Sequence, residues 1–379
     1  MLSKWDDFPI HQAPLPVCQT VGSDPGRYDR HWMALHDRAL TTQVGFGLSV
    51  HPNRGLVDAA ISVSRDGVQH SVFASAPLSR DRDTVAGPLR LEVVEPMRTL
   101  RVLLDDHDGV SADLTFTAVT QHIEDSRMRR ESGARLISER VRTVQFGEWS
   151  GTFTVGGETI TCDRDNWWGF RDRSWGSRST GTVAEAGNDT HGSSIYFAWT
   201  LLRFDDECLL VAVNETPEGI SEARTVAVLP FLQPGDAPYG QEERIQRSDT
   251  FEFDIDYAAG SRRTTHVNLT IGPRGPITRS LDIDLQGLFL MRGLGYYHPK
   301  WKHGTDHGGI AVGSEHWILA DADSAKLENV HAQQLCRAVR GDGAQGIGLF
   351  EHVAIGPHLP SGLPDGIGPR RSDAPVNDS

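Results

Sequence analysis

Residues 110–120 read VSADLTFTAVT and follow the turn pair Asp108-Gly109. Val110, Ala112, Leu114, Phe116 and Ala118 alternate with polar neighbours, and a period of two over that length turns one face of a strand inward and the other outward. The same pattern extends in both directions. Upstream, 56–64 (LVDAAISVS) stops at the Asp66-Gly67 turn before 68–74 resumes, which is a hairpin signature, and 43–50, 89–94 and 100–104 are further strand segments. Downstream, TFTV (152–155) and ETIT (158–161) flank Gly156-Gly157. Residues 127–142 are charged and only weakly periodic, a pattern compatible with a short helix or an irregular crossover.

The second half repeats the style. Segments 194–204 and 207–213 flank Asp205-Asp206, Phe251, Phe253, Ile255 and Tyr257 alternate, and so do Val267, Leu269 and Ile271. Segments 281–291 and 333–339 continue the series, and Gly341-Asp342-Gly343 turns the chain into GIGLFEHVAIG (346–356). No long amphipathic helix pattern occurs. Strands of this length, separated by Gly, Asp and Pro turns, imply an all-β antiparallel protein of sandwich or barrel type. At 379 residues the chain is long for one core, because domains usually run to about 100–200 residues. The expected organisation is an arm over 1–30, a first β domain over 31–180, a second over 181–356 and a tail over 357–379 whose low apolar content predicts disorder. The two halves meet near 181–192.

Composition narrows the function. The 51 acidic and 37 basic residues leave a net charge of −14, which argues against nucleic acid or an anionic membrane surface as a partner. No apolar run approaches the roughly 20 residues of a membrane span, and MLSKWDDFPIHQAPLP lacks a charged-then-apolar signal pattern, so a cytoplasmic location is expected. Cys18, Cys162, Cys208 and Cys336 stand singly and read as packing residues or surface thiols rather than a disulfide framework.

Two stretches carry chemistry. The first, 163–178, is DRDNWWGFRDRSWGSR, with Trp167, Trp168 and Trp175 among three acids and four arginines. Indoles need burial and guanidinium groups need anions, so the stretch belongs at an interior seam. Its place just beyond a hairpin, at the end of the first β unit, makes it read as a hinge between two domains. Asp172 has two opposite fates. Salt-bridged by Arg171 or Arg173 it is a charged anchor, whereas walled off by indoles it keeps its proton and acts as a general acid. His191 lies in a polar, glycine-containing loop and reads as exposed.

The second stretch, 292–309, is RGLGYYHPKWKHGTDHGG and holds His298, His303 and His307 with Tyr296, Tyr297 and Trp301. The spacing H-x4-H-x3-H invites a metal, but Pro299, Gly304 and Gly308-Gly309 oppose the helix on which such spacing would share an ion, so neither metal nor cofactor is expected. It reads as a loop closing one end of a β structure, with His298 the candidate for proton transfer. Glu351-His352 reads as an exposed edge pair at the end of the last hairpin. GIG at 346–348 lacks the strand-then-helix context of a phosphate loop, and neither GxSxG nor SxxK occurs.

Together GFRDRSWGSR (169–178), RGLGYYHPKWKHG (292–304) and GIGLFEH (346–352) resemble the AttH-like group of tandem lipocalin-like proteins. That group is related to carotenoid 1,2-hydratase (hydroxyneurosporene synthase), with kievitone hydratase and several natural-product cyclases as more distant relatives. Gly169, Arg171, Asp172, Trp175 and Gly176 match its central motif, and Gly295, Tyr297, His298, Trp301 and Gly304 the later one. The resemblance implies two lipocalin-like β-barrel or sandwich domains side by side, with the RDRSWG segment near their junction and an apolar cavity as the site. It also implies acid-promoted or templated chemistry without a redox cofactor.

The expected activity is then that of a hydratase, lyase, isomerase or cyclase acting on a hydrophobic, isoprenoid- or polyketide-like small molecule. Asp172 is the first candidate acid and His298 the second, while Trp168, Trp175, Tyr297 and Trp301 are candidate substrate-binding walls whose aromatic faces attract a developing cation. The alternative is a non-catalytic carrier using the same cavity, and a third is a solid seam with no cavity. A buried, unpaired carboxylate or histidine aimed at the cavity centre separates the enzyme from the carrier. Oligomeric state is not legible in the sequence.

Overall fold

The computed structural model describes residues 2–178, 194–272 and 278–369, and nearly all of its regular structure is antiparallel strand. The first half runs through β1 (Arg27–Asp37), β2 (Thr42–His51), β3 (Leu56–Arg65), β4 (Val68–Pro77), β5 (Val85–Ala86), β6 (Leu89–Glu95), β7 (Thr99–His107), β8 (Val110–Ala118), β9 (Ile123–Ser132), β10 (Arg135–Val155), β11 (Glu158–Cys162) and β12 (Trp167–Ser177). The second holds β13 (Ile195–Arg203), β14 (Cys208–Glu215), β15 (Ser221–Leu229), β16 (Gln246–Ser248), β17 (Phe251–Tyr257), β18 (Thr264–Ile271), β19 (Arg279–Leu290), β20 (Ala311–Ile318), β21 (Ala332–Arg340) and β22 (Gln345–Ile355). No helix among the described residues is long and apolar enough to cross a membrane.

The strands form two sheets. Thirteen strands make the first, in the order β20-β4-β3-β2-β1-β12-β10-β8-β7-β6-β5 with β9 and β11 paired to β10, and nine make the second, β16-β15-β14-β13-β22-β21-β19-β18-β17. Turn chemistry sets the hairpins: Asp66 and Gly67 both have positive φ (50° and 77°), the two-residue turn whose twist matches that of the strands it joins. Each sheet curls around its own core. Val44, Leu48, Val72, Leu91, Leu114 and Phe116 fill the first, while Val211, Val226, Leu269, Ile283, Cys336 and Phe350 fill the second. A further cluster joins the two sheets, with Trp32, Phe146 and Phe170 from the first against Trp199, Leu210 and Leu349 from the second. The architecture is therefore two lipocalin-like halves packed side by side.

Several expectations change. Residues 127–142 belong to the long β9–β10 hairpin rather than to a helix or crossover. Its charge reflects exposed ion pairs such as Arg129–Glu131 and Arg127–Glu124, which take the place of apolar alternation. The stretch 163–178 is no hinge, because it contains β12, a central strand held between β1 and β10. The halves are also interleaved: β20, from the second half of the sequence, pairs with β4 in the first sheet. Strand β1 begins at Arg27, inside the expected arm. Residues 357–369 are packed, not disordered: Leu363 is buried, the His358 ring lies 3.6 Å from that of Tyr196, and Arg262 donates to the Pro364 and Gly368 carbonyls. A few anchors suffice where apolar content is low. His191, the 181–192 junction and 370–379 lie outside the described residues.

Candidate active site

Strand parity builds the site. In β12 successive side chains point to opposite faces, so Asp172, Ser174 and Gly176 share one face and Arg171, Arg173 and Trp175 the other. The first face looks at the second sheet. In register, Asp172 lies between Trp32 of β1 and Val144 of β10, Ser174 between Arg30 and Arg142, and Gly176 between Tyr28 and Arg140. Gly176 has a φ of 151°, and a Cβ there would overlap the Glu139 carbonyl, so only glycine fits.

Between the sheets opens a cavity of about 510 Å³. Trp32 comes from the first sheet, Phe197 and Trp199 from β13, and Tyr296 and Tyr297 from the loop before β20. The Trp32 and Trp199 rings lie 5.5 Å apart. Burial, with Tyr296 adding, pushes the Tyr297 hydroxyl up to about 12, so it stays protonated. Among these aromatic walls stand Asp172, Arg140, Arg142, Arg178, His331 and Glu351.

Asp172 does not form the salt bridges offered by its neighbours in sequence. Arg171 points to the opposite face and donates to Gln145 Oε1 at 2.9 Å, and Arg173 pairs with Asp29. Arg142 and Arg30, each two residues from it along the neighbouring strands, are engaged elsewhere, Arg142 Nε donating to Asp125 Oδ2 at 2.6 Å and Arg30 Nη1 bonding Ser49 Oγ and His303 Nδ1. Asp172 Oδ1 is shut off from solvent and has no hydrogen-bond partner among the described residues. Its carboxyl is accordingly raised from 3.8 to about 6, chiefly by burial, against the pull of Arg142, Arg30 and Arg140 and with Glu351 adding to the rise.

The opposite wall carries a second polar unit. His331 Nε2 lies 2.7 Å from Glu351 Oε1, and Gln333 Nε2 donates to Glu351 Oε2 at 2.5 Å. Glu351 and His352 are both buried, which corrects their reading as an exposed edge pair. They sit inside β22, paired on both sides by β13 and β21, and parity sends Glu351 to the cavity while His352 bonds the Tyr257 hydroxyl at 3.1 Å and the Phe197 carbonyl at 2.8 Å.

Of the candidate acids and wall residues, Asp172 and Tyr297 meet in this cavity, joined by Tyr296, His303 and Glu351 from the other stretches singled out in the sequence, whereas His298, Trp168, Trp175 and Trp301 stand elsewhere. His298 is buried and fixes its loop: Nδ1 accepts from the Lys300 and Trp301 amides at 3.0 and 2.9 Å, leaving Nε2 to face Glu315 Oε2 at 3.2 Å. Burial lowers its proton affinity, partly offset by Glu315. Trp301 stacks on Phe73 at 5.7 Å and lines a separate small cleft. Trp168 shares the Asp172 face but lies four residues along the strand, sandwiched by Arg38 and Arg203 at 4.3 and 3.9 Å. Trp175, on the opposite parity, is 37% exposed. Arg140, Arg142, Trp32, Trp199 and His331 escaped sequence reasoning, and Glu351 reads there as an exposed edge residue. Parity along β10, β13 and β22 was the available signal, but which face met the cavity was not.

His303 contacts Arg30 at 2.9 Å and is held down to about 3 by burial and by that guanidinium, so it is neutral. His298, His303 and His307 form no metal-binding set among the described residues. His266, Asp282 and Asp284 do come together, within 4.8 Å, but the two carboxylates are exposed and stand across the β18–β19 ladder as surface ion-pair partners of the imidazole.

The model of one protein family, described as "Family of unknown function (DUF8625)", matches residues 2–364. No curated protein matches. Among solved structures, an AttH-like protein from Nitrosomonas europaea superposes with a TM-score of 0.53 at 12% identity, over 86% of this chain and 92% of that one. Kievitone hydratase from Nectria haematococca gives 0.46 at 13% identity, over 88% of this chain and 91% of that one. CghA gives 0.47 at 10% identity, over 87% and 88% respectively. The fold is thus the one that the central and later motifs resemble.

Proposed function

The chain belongs to the family of unknown function DUF8625, and we propose that it is a cofactor-independent lyase, hydratase, isomerase or cyclase working by acid catalysis on a largely hydrophobic small molecule of isoprenoid or polyketide type. One observation carries the reading: Asp172 holds a carboxyl that no neighbour neutralises, raised to about 6, in an aromatic cavity of about 510 Å³. A cavity meant only to sequester an apolar ligand has no use for such a group, since burying an unpaired carboxyl costs free energy. At pH 7 roughly a tenth of the molecules carry the proton, enough for a general acid.

The steps follow from the walls. Asp172 delivers its proton to an alkene or oxygen of the bound molecule, and the cation that develops faces Trp32, Phe197, Trp199 and Tyr297, whose rings stabilise it by about 0.5–2 kcal/mol each. Across the cavity, the His331–Glu351 pair takes up the proton released when water adds or when a neighbouring C–H bond breaks. The net result is addition or loss of water, double-bond migration or ring closure, with no electrons exchanged.

The test begins with mass spectrometry of small molecules extracted from the purified protein, to supply a substrate candidate. Turnover is then compared between wild type and Asp172→Asn. A folded Asp172→Asn variant with a loss of about 100-fold or more supports the acid role. Wild-type turnover removes Asp172 from the mechanism, and a bound but unaltered ligand favours a carrier.

A further inference from the structure

The charges lining the cavity do not balance, and the imbalance is local. Most acids of the wall are already engaged. Glu215 is held by Arg224 at 3.1 Å and by His358 at 3.0 Å, Glu222 by Arg130 at 3.4 Å, and Glu351 by His331 and Gln333. Arg142 is matched by Asp125. Arg140 and Arg178 are different. Arg140 Nε and Nη2 and Arg178 Nη2 are shut off from solvent, yet none has a hydrogen-bond partner among the described residues. A guanidinium presents five donors that cannot be neutralised by losing a proton, so unbonded donors in a dry wall call for an acceptor carrying negative charge.

Geometry places both groups at one end. Arg140 stands directly across the ladder from Gly176, and Arg178 follows one residue beyond the end of β12, stacked on Tyr28 at 4.3 Å. Trp32 and Asp172 lie four residues along β1 and β12 from Tyr28 and Gly176, which is roughly 13 Å in a strand. Arg140 and Arg178 therefore belong to the part of the wall beside Tyr28 and Gly176, and Trp32 with Asp172 to the part further along both strands.

We propose that the cavity takes an amphiphile bearing one anionic oxygen group, a carboxylate or enolate, seated on Arg140 and Arg178, with its apolar body against Trp32, Phe197, Trp199 and Tyr297. The bond that reacts then lies near Asp172, further along the cavity from the anionic group. This deepens the functional reading by naming the class of molecule. It rests on the cavity being the ligand site but not on Asp172 acting as an acid.

The experiment uses the full chain and three probes with the same polyene body: all-trans-retinoate, all-trans-retinol and methyl retinoate. Binding is read from quenching of tryptophan fluorescence, since Trp32 and Trp199 line the cavity. At pH 8 the wild type should bind retinoate about tenfold or more tighter than either neutral probe, as expected for a charge-assisted pair of hydrogen bonds. Arg140→Gln and Arg178→Gln should each remove most of that preference while leaving retinol affinity in place, which also shows that the variant is folded. Arg140→Lys should keep part of it. Equal affinities in the wild type, or a preference that survives in the double Gln variant, overturn the proposal. If no probe binds, the cavity is not an apolar-ligand site and both readings fall. If the preference is found but Asp172→Asn turns over substrate normally, the acid role fails and the anion seat stands.

Discussion

Replacing Asp172 by Asn should make the protein more stable at pH 8 and leave its stability unchanged at pH 4 or below. The folded state raises this carboxyl from 3.8 to about 6, so across that window the folded chain holds a proton that the unfolded chain has released. Stability contributed by the site is therefore lost as pH rises from about 4 to 6, and above it the fold bears the full cost of a buried, unpaired carboxylate. A shift of about 2 pH units corresponds to about 3 kcal/mol. With an unfolding entropy of about 2.1 cal/mol/K per residue, a chain of 379 residues has about 0.8 kcal/mol/K, so removing that cost raises Tm by roughly 4 °C. Calorimetric melting of both proteins at pH 4 and pH 8 measures the difference directly. A pH-independent difference, or a variant that melts lower at pH 8, would refute the argument, because Asp172 would then be paired and its charge stabilising. Gain of stability together with loss of turnover would mark the carboxyl as kept for chemistry at the expense of the fold.

Other substitutions separate cavity from scaffold. Trp199→Ala, in a buried wall, should cost about 3–5 kcal/mol in denaturant unfolding and weaken ligand binding, whereas Trp175→Ala, exposed on the other face, should change stability by less than about 1 kcal/mol and leave binding alone. His298→Ala should lower stability by about 1–3 kcal/mol through loss of the two amide contacts, with no change in the pH profile of turnover; a shifted profile would restore His298 as a proton donor. Asp125→Ala leaves Arg142 buried without its anion and should cost about 3–5 kcal/mol, read by urea unfolding. Gly176→Ala, which forces a side chain into the Glu139 carbonyl, should reduce the yield of soluble protein sharply.

Much of the fold was legible because it is local. The alternation in 110–120 became β8, and the Asp66-Gly67 and Gly156-Gly157 pairs became hairpin turns, since strand parity and turn geometry depend on residues next to one another. The charged run 127–142 failed the same test, because exposed ion pairs, among them Arg129–Glu139 across the β9–β10 ladder, can accompany a hairpin with no apolar alternation to announce it. Within the central motif the sequence singled out Asp172, and period two alone puts Asp172 and Trp175 on opposite faces once the stretch is known to be a strand. Reading it as a hinge hid that rule.

What stayed hidden depends on partners distant in the chain. Whether Asp172 is salt-bridged turned on Arg142 being taken by Asp125 and Arg173 by Asp29, and its surroundings on Trp199, His331 and Glu351 arriving from the second sheet to close the cavity. The sequence by itself determined strands, turns and an acid placed among arginines and indoles. Only the tertiary structure decided which arginines that acid would lose to other carboxylates, because the neutralisation of a buried charge is settled by the few ångströms around it and not by its neighbours along the chain.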